Sequence, residues 1–213
     1  MERQKSPVLT TQTLAAAARQ LAVRDDRLGD ILLSHGVPPM WRRSAGFPTL
    51  VHIILEQQVS LRSGKAMFDR LNNNIQPFEP QFFLRRGETY LRSLGVTRQK
   101  SAYLIHLSSL IVSGDLNLSR LSRLNDHEAR TALMQVKGIG AWSADVYLLM
   151  AMRRADIWPA GDLALAVAAK ELFGLEHRPS PDELDRIAQQ WRPLRAVAAR
   201  MLWQFYLAKR AKS

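Results

Sequence analysis

Apolar residues recur every three to four positions along most of the chain, and the alternation typical of strands is rare. After Thr97, for example, Leu104, Leu107 and Ile111 share one helical face, and Gly114 follows as a helix terminator. Similar stretches repeat to the end of the sequence. The pattern predicts an all-α protein of roughly ten helices.

Capping residues, prolines and glycines set the expected helix bounds. The predicted helices cover 14–23, 28–35, 47–55, a stretch after the cap Ser60, 81–86, 88–93, a stretch after the cap Thr97, 128–136, 141–152, 163–173, a stretch after the cap Ser180, and a last helix opened by Pro193. Two of these helices meet at Gln58. We expect one domain over residues 1–213, built from two helical subdomains with a cleft between them. One subdomain covers approximately 40–115 and the other 116–213, with N-terminal helices 11–36 packing alongside.

The charge balance narrows the class of partner. The 213 residues include 30 Lys and Arg against 19 Asp and Glu, a formal net charge of +11. Since 46% of the residues are hydrophobic, the chain can bury a core and should be globular. A basic globular protein favours polyanions, and nucleic acid leads that list. A helical protein that binds some other acidic partner is the bland alternative.

Cysteine is absent, which excludes disulfides, thiolate catalysis and cysteine-ligated zinc or iron–sulfur clusters. The five histidines are scattered and do not form the spacing of a zinc site. The N-terminal residues lack the apolar stretch of a signal peptide, and we expect no membrane partner. We therefore expect a cytoplasmic, nucleoid-associated protein.

A glycine hairpin, Gly138-Ile139-Gly140, separates the predicted helices 128–136 and 141–152. By itself this pattern is weak, because glycines are common helix terminators. A dinucleotide-binding loop would need a preceding strand and a third glycine where Ser143 stands. A hairpin before a helix instead presents backbone N–H groups to an anion, and the helix dipole favours the same charge. A DNA phosphate fits this arrangement, with Lys137 beside it.

Three segments in order resemble a known family. Residues 54–60 (ILEQQVS), 136–144 (VKGIGAWSA) and 160–163 (AGDL) are similar to the helix-hairpin-helix base-excision DNA glycosylases, in particular the 3-methyladenine DNA glycosylase branch. The resemblance extends from about Phe47 to the C-terminus. It implies a monomeric enzyme that flips alkylated purines such as 3-methyladenine out of double-stranded DNA and hydrolyses the N-glycosidic bond, leaving an abasic site.

Two departures from the family pattern select a subclass. Members that also cleave the strand carry a lysine nucleophile where this chain has Trp142, so the resemblance implies no lyase activity. The endonuclease III type carries four cysteines for an iron–sulfur cluster, which this chain cannot build. A monofunctional glycosylase of the alkylation branch remains.

The resemblance also implies roles for individual residues. Asp162 would be catalytic, either as electrostatic stabiliser or as general base. Trp142 would line the base pocket, with Tyr147 and Trp158 as further lining and Trp191 and Trp203 as nearby candidates. The implied DNA-binding residues are Gln57, Gln58, Lys137, Gly138, Ile139, Gly140 and Ser143, and Gln58 would fill the gap left by the flipped base. Backbone carbonyls of Met134, Val136 and Ile139 would hold a monovalent cation, Na⁺ or K⁺, and no other cofactor is expected.

Each role has a plainer alternative. Asp162 makes a good helix N-cap, Trp142 lies where core residues usually do, and Gln58 is an ordinary polar residue at a helix junction. Gln57 can pair only with backbone, and Lys137 can simply be solvated. For the whole chain, the alternatives are a non-catalytic helix-hairpin-helix DNA-binding module and a glycosylase for deaminated or mismatched bases. The order of preference among lesions stays open.

Overall fold

A computed structural model of the chain describes residues 5–211, and the first four residues of the N-terminal segment considered above lie outside it. Within that range the fold is all-α, as predicted, and its one β contact is an isolated bridge between Val8 and Arg154. The helices are α1 (Thr11–Arg24), α2 (Asp26–His35), α3 (Phe47–Glu56), α4 (Leu61–Asn74), α5 (Pro80–Ser93), α6 (Arg98–Ser113), α7 (Asp126–Met134), α8 (Ala141–Met150), α9 (Leu163–Phe173), α10 (Pro181–Ala188) and α11 (Arg195–Arg210), with 3₁₀ turns at Arg120–Ser122 and Gln189–Trp191. None of the helices in the described range is long and apolar enough to cross a membrane.

The chain divides into two compact units. We call Arg43–Tyr147 the hairpin unit, and the residues up to Arg42 together with those from Leu148 onward the terminal unit. The sequence suggested a boundary near residue 115, whereas the structure places the hairpin in one unit with α3–α6. The reason is a set of side-chain contacts to the hairpin, described below, that the local pattern does not reveal.

In the hairpin unit, α3 packs against α4 and α6, and α5 packs along α6. Leu50, Ile53 and Ile54 of α3 are fully buried, which explains the apolar run of this helix. The two short helices predicted over 81–93 form one element, α5, interrupted at Gly87, where φ is +72°. The predicted break is therefore at the right residue.

In the terminal unit, α11 packs against α1, α2 and α9. The fully buried Arg200 lies on this central helix, and its guanidinium donates to the carbonyls of Met40, Leu149 and Ala196 at 2.7–3.1 Å. Burial lowers the pKa of Arg200 to about 10. Carbonyl oxygens thus replace the hydrogen bonds to water that the guanidinium loses when it is buried.

Most helix ends lie where the capping residues predicted them. Ser60, Thr97 and Ser180 each accept a bond from the third residue of the helix that follows. The last helix is an exception, because α11 begins at Arg195 and not at Pro193. The Asp156 carboxylate accepts the Arg195 N–H at 3.2 Å and its guanidinium at 3.0 Å, which fixes the start of α11 two residues later.

Candidate functional site

The hairpin between α7 and α8 is a tight turn with two buried anchors. The Ile139 N–H donates to the Val136 carbonyl at 2.9 Å, and the side chains of both residues are buried. Lys137, which lies between these two residues, and Gly140, which follows them, are exposed. Ile139 can therefore meet a ligand only through its backbone, while Lys137 and Gly140 face solvent.

The two hairpin glycines, Gly138 and Gly140, differ in how much space surrounds them. Gly138 has φ +86°, and a Cβ there would lie 2.1 Å from the ring of Tyr103, so no other residue fits. A Cβ on Gly140 would meet no atom within 4 Å. Gly138 is thus required for the shape of the hairpin, whereas Gly140 leaves open space on its outer side.

Gln57 ties the end of α3 to the hairpin. Its side-chain amide donates to the Gly138 carbonyl at 2.7 Å and to the Ser143 hydroxyl at 2.9 Å. The sequence suggested Gln57 and Ser143 as DNA contacts. In the structure they are joined to each other inside the hairpin unit, where Gln57 also holds the backbone of the hairpin.

Lys100 and His106 of α6 complete this support, although no sequence pattern indicated either residue. The Lys100 ammonium donates to the carbonyls of Leu55 and Gln57 at 2.7 and 2.8 Å, which satisfies the C-terminal end of α3. Burial lowers the pKa of this lysine. The His106 ring accepts the Lys137 N–H at 3.1 Å. These partners lie more than thirty residues away in sequence, so no local signal announces them.

Gln58 lies at the junction of α3 and α4, as predicted. It is exposed and has φ +57°, a conformation that a non-glycine residue adopts only under local constraint. The two helices pack closely beside this junction, since a Cβ on Gly64 would lie 2.7 Å from the Glu56 side chain. Leu61, at the start of α4, is 69% exposed, so polar and apolar side chains project together from this junction.

Two of the predicted pocket residues differ in accessibility. Trp142, the second residue of α8, is half-buried. Tyr147 is 1% exposed, its hydroxyl accepts the Gly46 N–H at 2.9 Å, and burial raises its pKa. Tyr147 therefore presents no face to a base in this structure.

Asp162 is the N-cap residue directly before α9 in the terminal unit, which confirms the predicted cap. Its Oδ1 accepts the Leu165 N–H at 2.9 Å and the Trp203 indole N–H at 3.1 Å. Asp162 is only 9% exposed, so these N–H groups contribute to holding the carboxylate in a largely buried position. Trp203, which the sequence indicated only as a nearby candidate, is an aromatic residue in direct contact with Asp162.

The remaining aromatic residues of the terminal unit divide into two groups. Trp158 is 2% exposed and packs on Trp191 with ring centroids 5.5 Å apart, so this predicted pocket residue lies in the core. Trp191 donates its indole N–H to Asp25 at 3.0 Å. Trp41, which no sequence pattern indicated, packs edge-on against Trp203 with ring centroids 6.1 Å apart.

The structure thus groups the predicted residues into two sets. The hairpin unit brings together Gln57, Gly138 and Ser143, with Trp142 one residue before Ser143. The terminal unit brings Asp162 together with Trp203. Over residues 5–211, no group of three or more His, Asp or Glu side chains is placed to hold a metal ion.

Two helices are joined by a tight glycine turn that Val136 and Ile139 anchor in the core, and a largely buried aspartate caps a later helix, which is the arrangement of a helix-hairpin-helix protein. In agreement, residues 51–193 match the model of the HhH-GPD superfamily base excision DNA repair proteins. The chain belongs to this superfamily.

Individual relatives give the same picture. The chain is 31% identical to the Bacillus subtilis protein YfjP over 185 residues, 83% of this chain and 64% of YfjP. It is 30% identical over 120 residues to a B. subtilis DNA-3-methyladenine glycosylase, covering 56% of this chain and 40% of that enzyme. The chain therefore spans less than two thirds of the length of these two curated relatives.

A solved structure shares the fold. The Schizosaccharomyces pombe 3-methyladenine DNA glycosylase Mag1, solved in complex with abasic DNA, superposes with a TM-score of 0.80 at 22% identity. The match covers 89% of this chain and 95% of Mag1. At this identity the likeness establishes the architecture.

Proposed function

We propose that this chain is a monofunctional DNA glycosylase that hydrolyses the N-glycosidic bond of alkylated purines in duplex DNA. The observation that carries the proposal is Asp162, a largely buried carboxylate oriented by the Leu165 and Trp203 N–H groups in a chain of a base-excision superfamily. A module that only binds DNA needs no such group. The names of the B. subtilis relative and of Mag1 support 3-methyladenine as the model lesion.

Binding would rest on the phosphate backbone. The net charge of +11 attracts DNA, and the hairpin offers backbone N–H groups at the start of α8 with Lys137 exposed beside them. These contacts carry no base information, which suits an enzyme that must inspect every sequence. Gln58, exposed at the junction of α3 and α4, would fill the space left by the flipped base.

Hydrolysis of the N-glycosidic bond of an alkylated purine requires one carboxylate. An alkylated purine such as 3-methyladenine is cationic, so its glycosidic bond is already weak and an electron-rich indole face attracts it by about 0.5–2 kcal/mol. As the bond breaks, the sugar becomes an oxocarbenium ion. A carboxylate at about 4 Å in an effective dielectric near 20 stabilises that ion by roughly 4 kcal/mol, or about three powers of ten in rate. Asp162 supplies this charge, and the same oxygens can orient the attacking water.

Absence of lyase activity is part of the proposal. A lyase needs an amine that forms a Schiff base with the abasic sugar, and Trp142 occupies the position where the family's bifunctional members place that lysine. Borohydride trapping with abasic duplex should give no covalent complex above background, and the strand should break only after added alkali. A strong adduct in the native protein would contradict this part and point to Lys137.

A monovalent cation at the hairpin is a further element of the proposal. Met134 ends α7, so its carbonyl belongs to the set without a full complement of helical partners, and Val136 and Ile139 form the turn itself. Three neutral oxygens suit K⁺ or Na⁺, and the ion would offset phosphate charge. At constant ionic strength, replacing K⁺ by a tetraalkylammonium ion should weaken binding of undamaged duplex. Equal affinity in both salts would contradict the proposed cation site.

A base-release assay tests the function. Duplexes that carry 3-methyladenine, 7-methylguanine, hypoxanthine or ethenoadenine are incubated with the full chain, and free bases are measured by mass spectrometry. An Asp162→Asn preparation purified in parallel reports any contaminating glycosylase. Release of alkylpurines by the native chain alone is the expected result. DNA binding without release of any base would indicate a non-catalytic module, and release of hypoxanthine alone would indicate a glycosylase for deaminated bases.

A further inference from the structure

Trp41 has a backbone conformation that its residue type does not favour. Its φ is +43°, in the left-handed region, and its side chain is half-buried. Bulky residues persist there only where neighbouring groups hold them. An unfavourable conformation kept at a specific aromatic residue suggests that the residue is needed in that place.

Arg200 restrains the backbone next to Trp41. It is fully buried on α11, and its Nε donates to the carbonyl of Met40, the residue directly before Trp41, at 3.1 Å. The other guanidinium nitrogens donate to Ala196 and Leu149, which fixes the orientation of the group. The backbone at Met40 and Trp41 is therefore clamped onto α11.

The same helix carries the residue that Trp41 touches. Trp203 follows Arg200 by three positions, so both side chains lie on one face of α11. The Trp41 ring meets the Trp203 ring edge-on, with an interplanar angle of 75°, and the Trp203 indole donates to Asp162 Oδ1 at 3.1 Å. A series of contacts thus runs from Arg200 to the backbone of Met40, through the adjoining Trp41 and its ring partner Trp203, to the Asp162 carboxylate.

We propose that Trp41 is a positioning residue that keeps the Trp203 indole N–H directed at Asp162. The inference rests on the proposed glycosylase function. Trp191 shows why such a support matters: its indole also donates to an aspartate, Asp25, but Trp158 and Phe173 enclose it in the core. Trp203 keeps 8% of its surface exposed and has Trp41 as its aromatic neighbour, so loss of that ring frees the indole to rotate.

A double-mutant cycle tests the proposal. Single-turnover release of 3-methyladenine is measured for Trp41→Ala, Trp203→Phe and the double variant. Each single change should slow release about tenfold, and the double variant should also be slowed about tenfold, because both act through one hydrogen bond. A loss near a hundredfold in the double variant, or a native rate in Trp41→Ala, would overturn the proposal.

Conservative variants separate positioning from folding. Trp41→Phe keeps an aromatic edge and should retain the rate within about threefold, whereas Trp41→Leu should lose about tenfold at an equal melting temperature. Equal rates for the two variants would contradict a role for the ring. Trp191→Phe removes the matching indole bond to Asp25 and should leave release within about twofold. If the native chain releases base and Asp162→Asn does not, failure of this cycle concerns Trp41 alone; if the native chain releases none, the proposed function itself has failed.

Discussion

The hairpin and the Asp162 segment are held in place by different kinds of contact. In the hairpin unit, side chains hold a stretch of backbone: Gln57 donates to the Gly138 carbonyl, and His106 accepts the Lys137 N–H. In the terminal unit, a backbone N–H and an indole N–H hold one side chain, the Asp162 carboxylate. A positioned backbone suits a ligand met through its phosphates, and a positioned carboxylate suits a single chemical step.

This difference predicts that binding and chemistry can be disturbed separately. Changes at the hairpin should lower affinity for damaged and undamaged DNA alike, since phosphate contacts do not distinguish the two. Changes at Asp162 should lower the rate of base release and leave affinity alone. The following predictions test that separation, from the largest expected effect to the smallest.

Gly140→Glu places a carboxylate on the open side of the hairpin. Because a Cβ meets no atom there, the melting temperature should be unchanged. Affinity for both kinds of duplex should fall about a hundredfold through repulsion of phosphate, and Gly140→Gln should lose much less. Fluorescence anisotropy over a salt series provides the measurement. In the native chain, log K should fall by roughly 0.9 per phosphate neutralised for each tenfold rise in salt concentration. Unchanged affinity would show that the hairpin does not face DNA.

Gly138→Ala provides the contrasting change in the same hairpin. Its Cβ would collide with Tyr103 at a positive φ, so stability and affinity should fall together. A variant that lost affinity at native stability would mean that Gly138 acts on the ligand and not on the fold.

Asp25→Asn tests a second aspartate of the terminal unit that caps a helix and accepts an indole N–H. Asp25 caps α2, accepts the Trp191 indole N–H and pairs with Arg27 at 2.8 Å. Burial raises the pKa of Asp25, but the bonds from Arg27 and Trp191 outweigh burial and lower it. The variant should lose about 2 kcal/mol of unfolding free energy at pH 7 and release base at a near-native rate.

The pH dependence of that loss follows from the lowered pKa. A carboxyl whose pKa is lower in the folded state stabilises the fold above its unfolded pKa, near 4, and this contribution disappears as the pH falls through the folded value. Urea unfolding of native and Asp25→Asn protein should therefore converge in acid. Parallel curves from pH 7 to 2 would show that the charge of Asp25 contributes nothing.

Gln58→Ala should have the smallest effect. If the side chain fills the gap left by a flipped base, its loss should slow release several-fold on well-stacked pairs and less on pairs already disrupted by a mismatch. Single-turnover rates on the two duplexes give the comparison, with binding to undamaged DNA as control. An equal loss on both would assign Gln58 a structural role.

Local signals predicted most of the fold. Ser60, Thr97, Asp162 and Ser180 cap helices where expected, because an N-cap depends on residues within one turn. The start of α11 was predicted wrongly, because Asp156, far earlier in the chain, fixes Arg195.

The supports of the site could not be predicted for the same reason. Lys100 binds carbonyls 43 and 45 positions away, and Trp203 reaches Asp162 across 41 positions. The motifs identified Gln57 and Asp162, whose neighbours in sequence carry the pattern. They did not indicate that Gln57 pairs with Gly138 and Ser143 or that Trp41 contacts Trp203, because only tertiary packing brings these residues together.

A paired measurement on Asp162→Asn and Asp25→Asn tests the central claim most directly. Asparagine caps a helix about as well as aspartate, so Asp162→Asn keeps the cap and removes only the charge. Single-turnover release of 3-methyladenine should fall about a hundredfold or more in Asp162→Asn, with native stability and DNA affinity, and stay near native in Asp25→Asn. An Asp162→Asn protein that binds DNA normally and releases base at the native rate would show that Asp162 is only a helix cap.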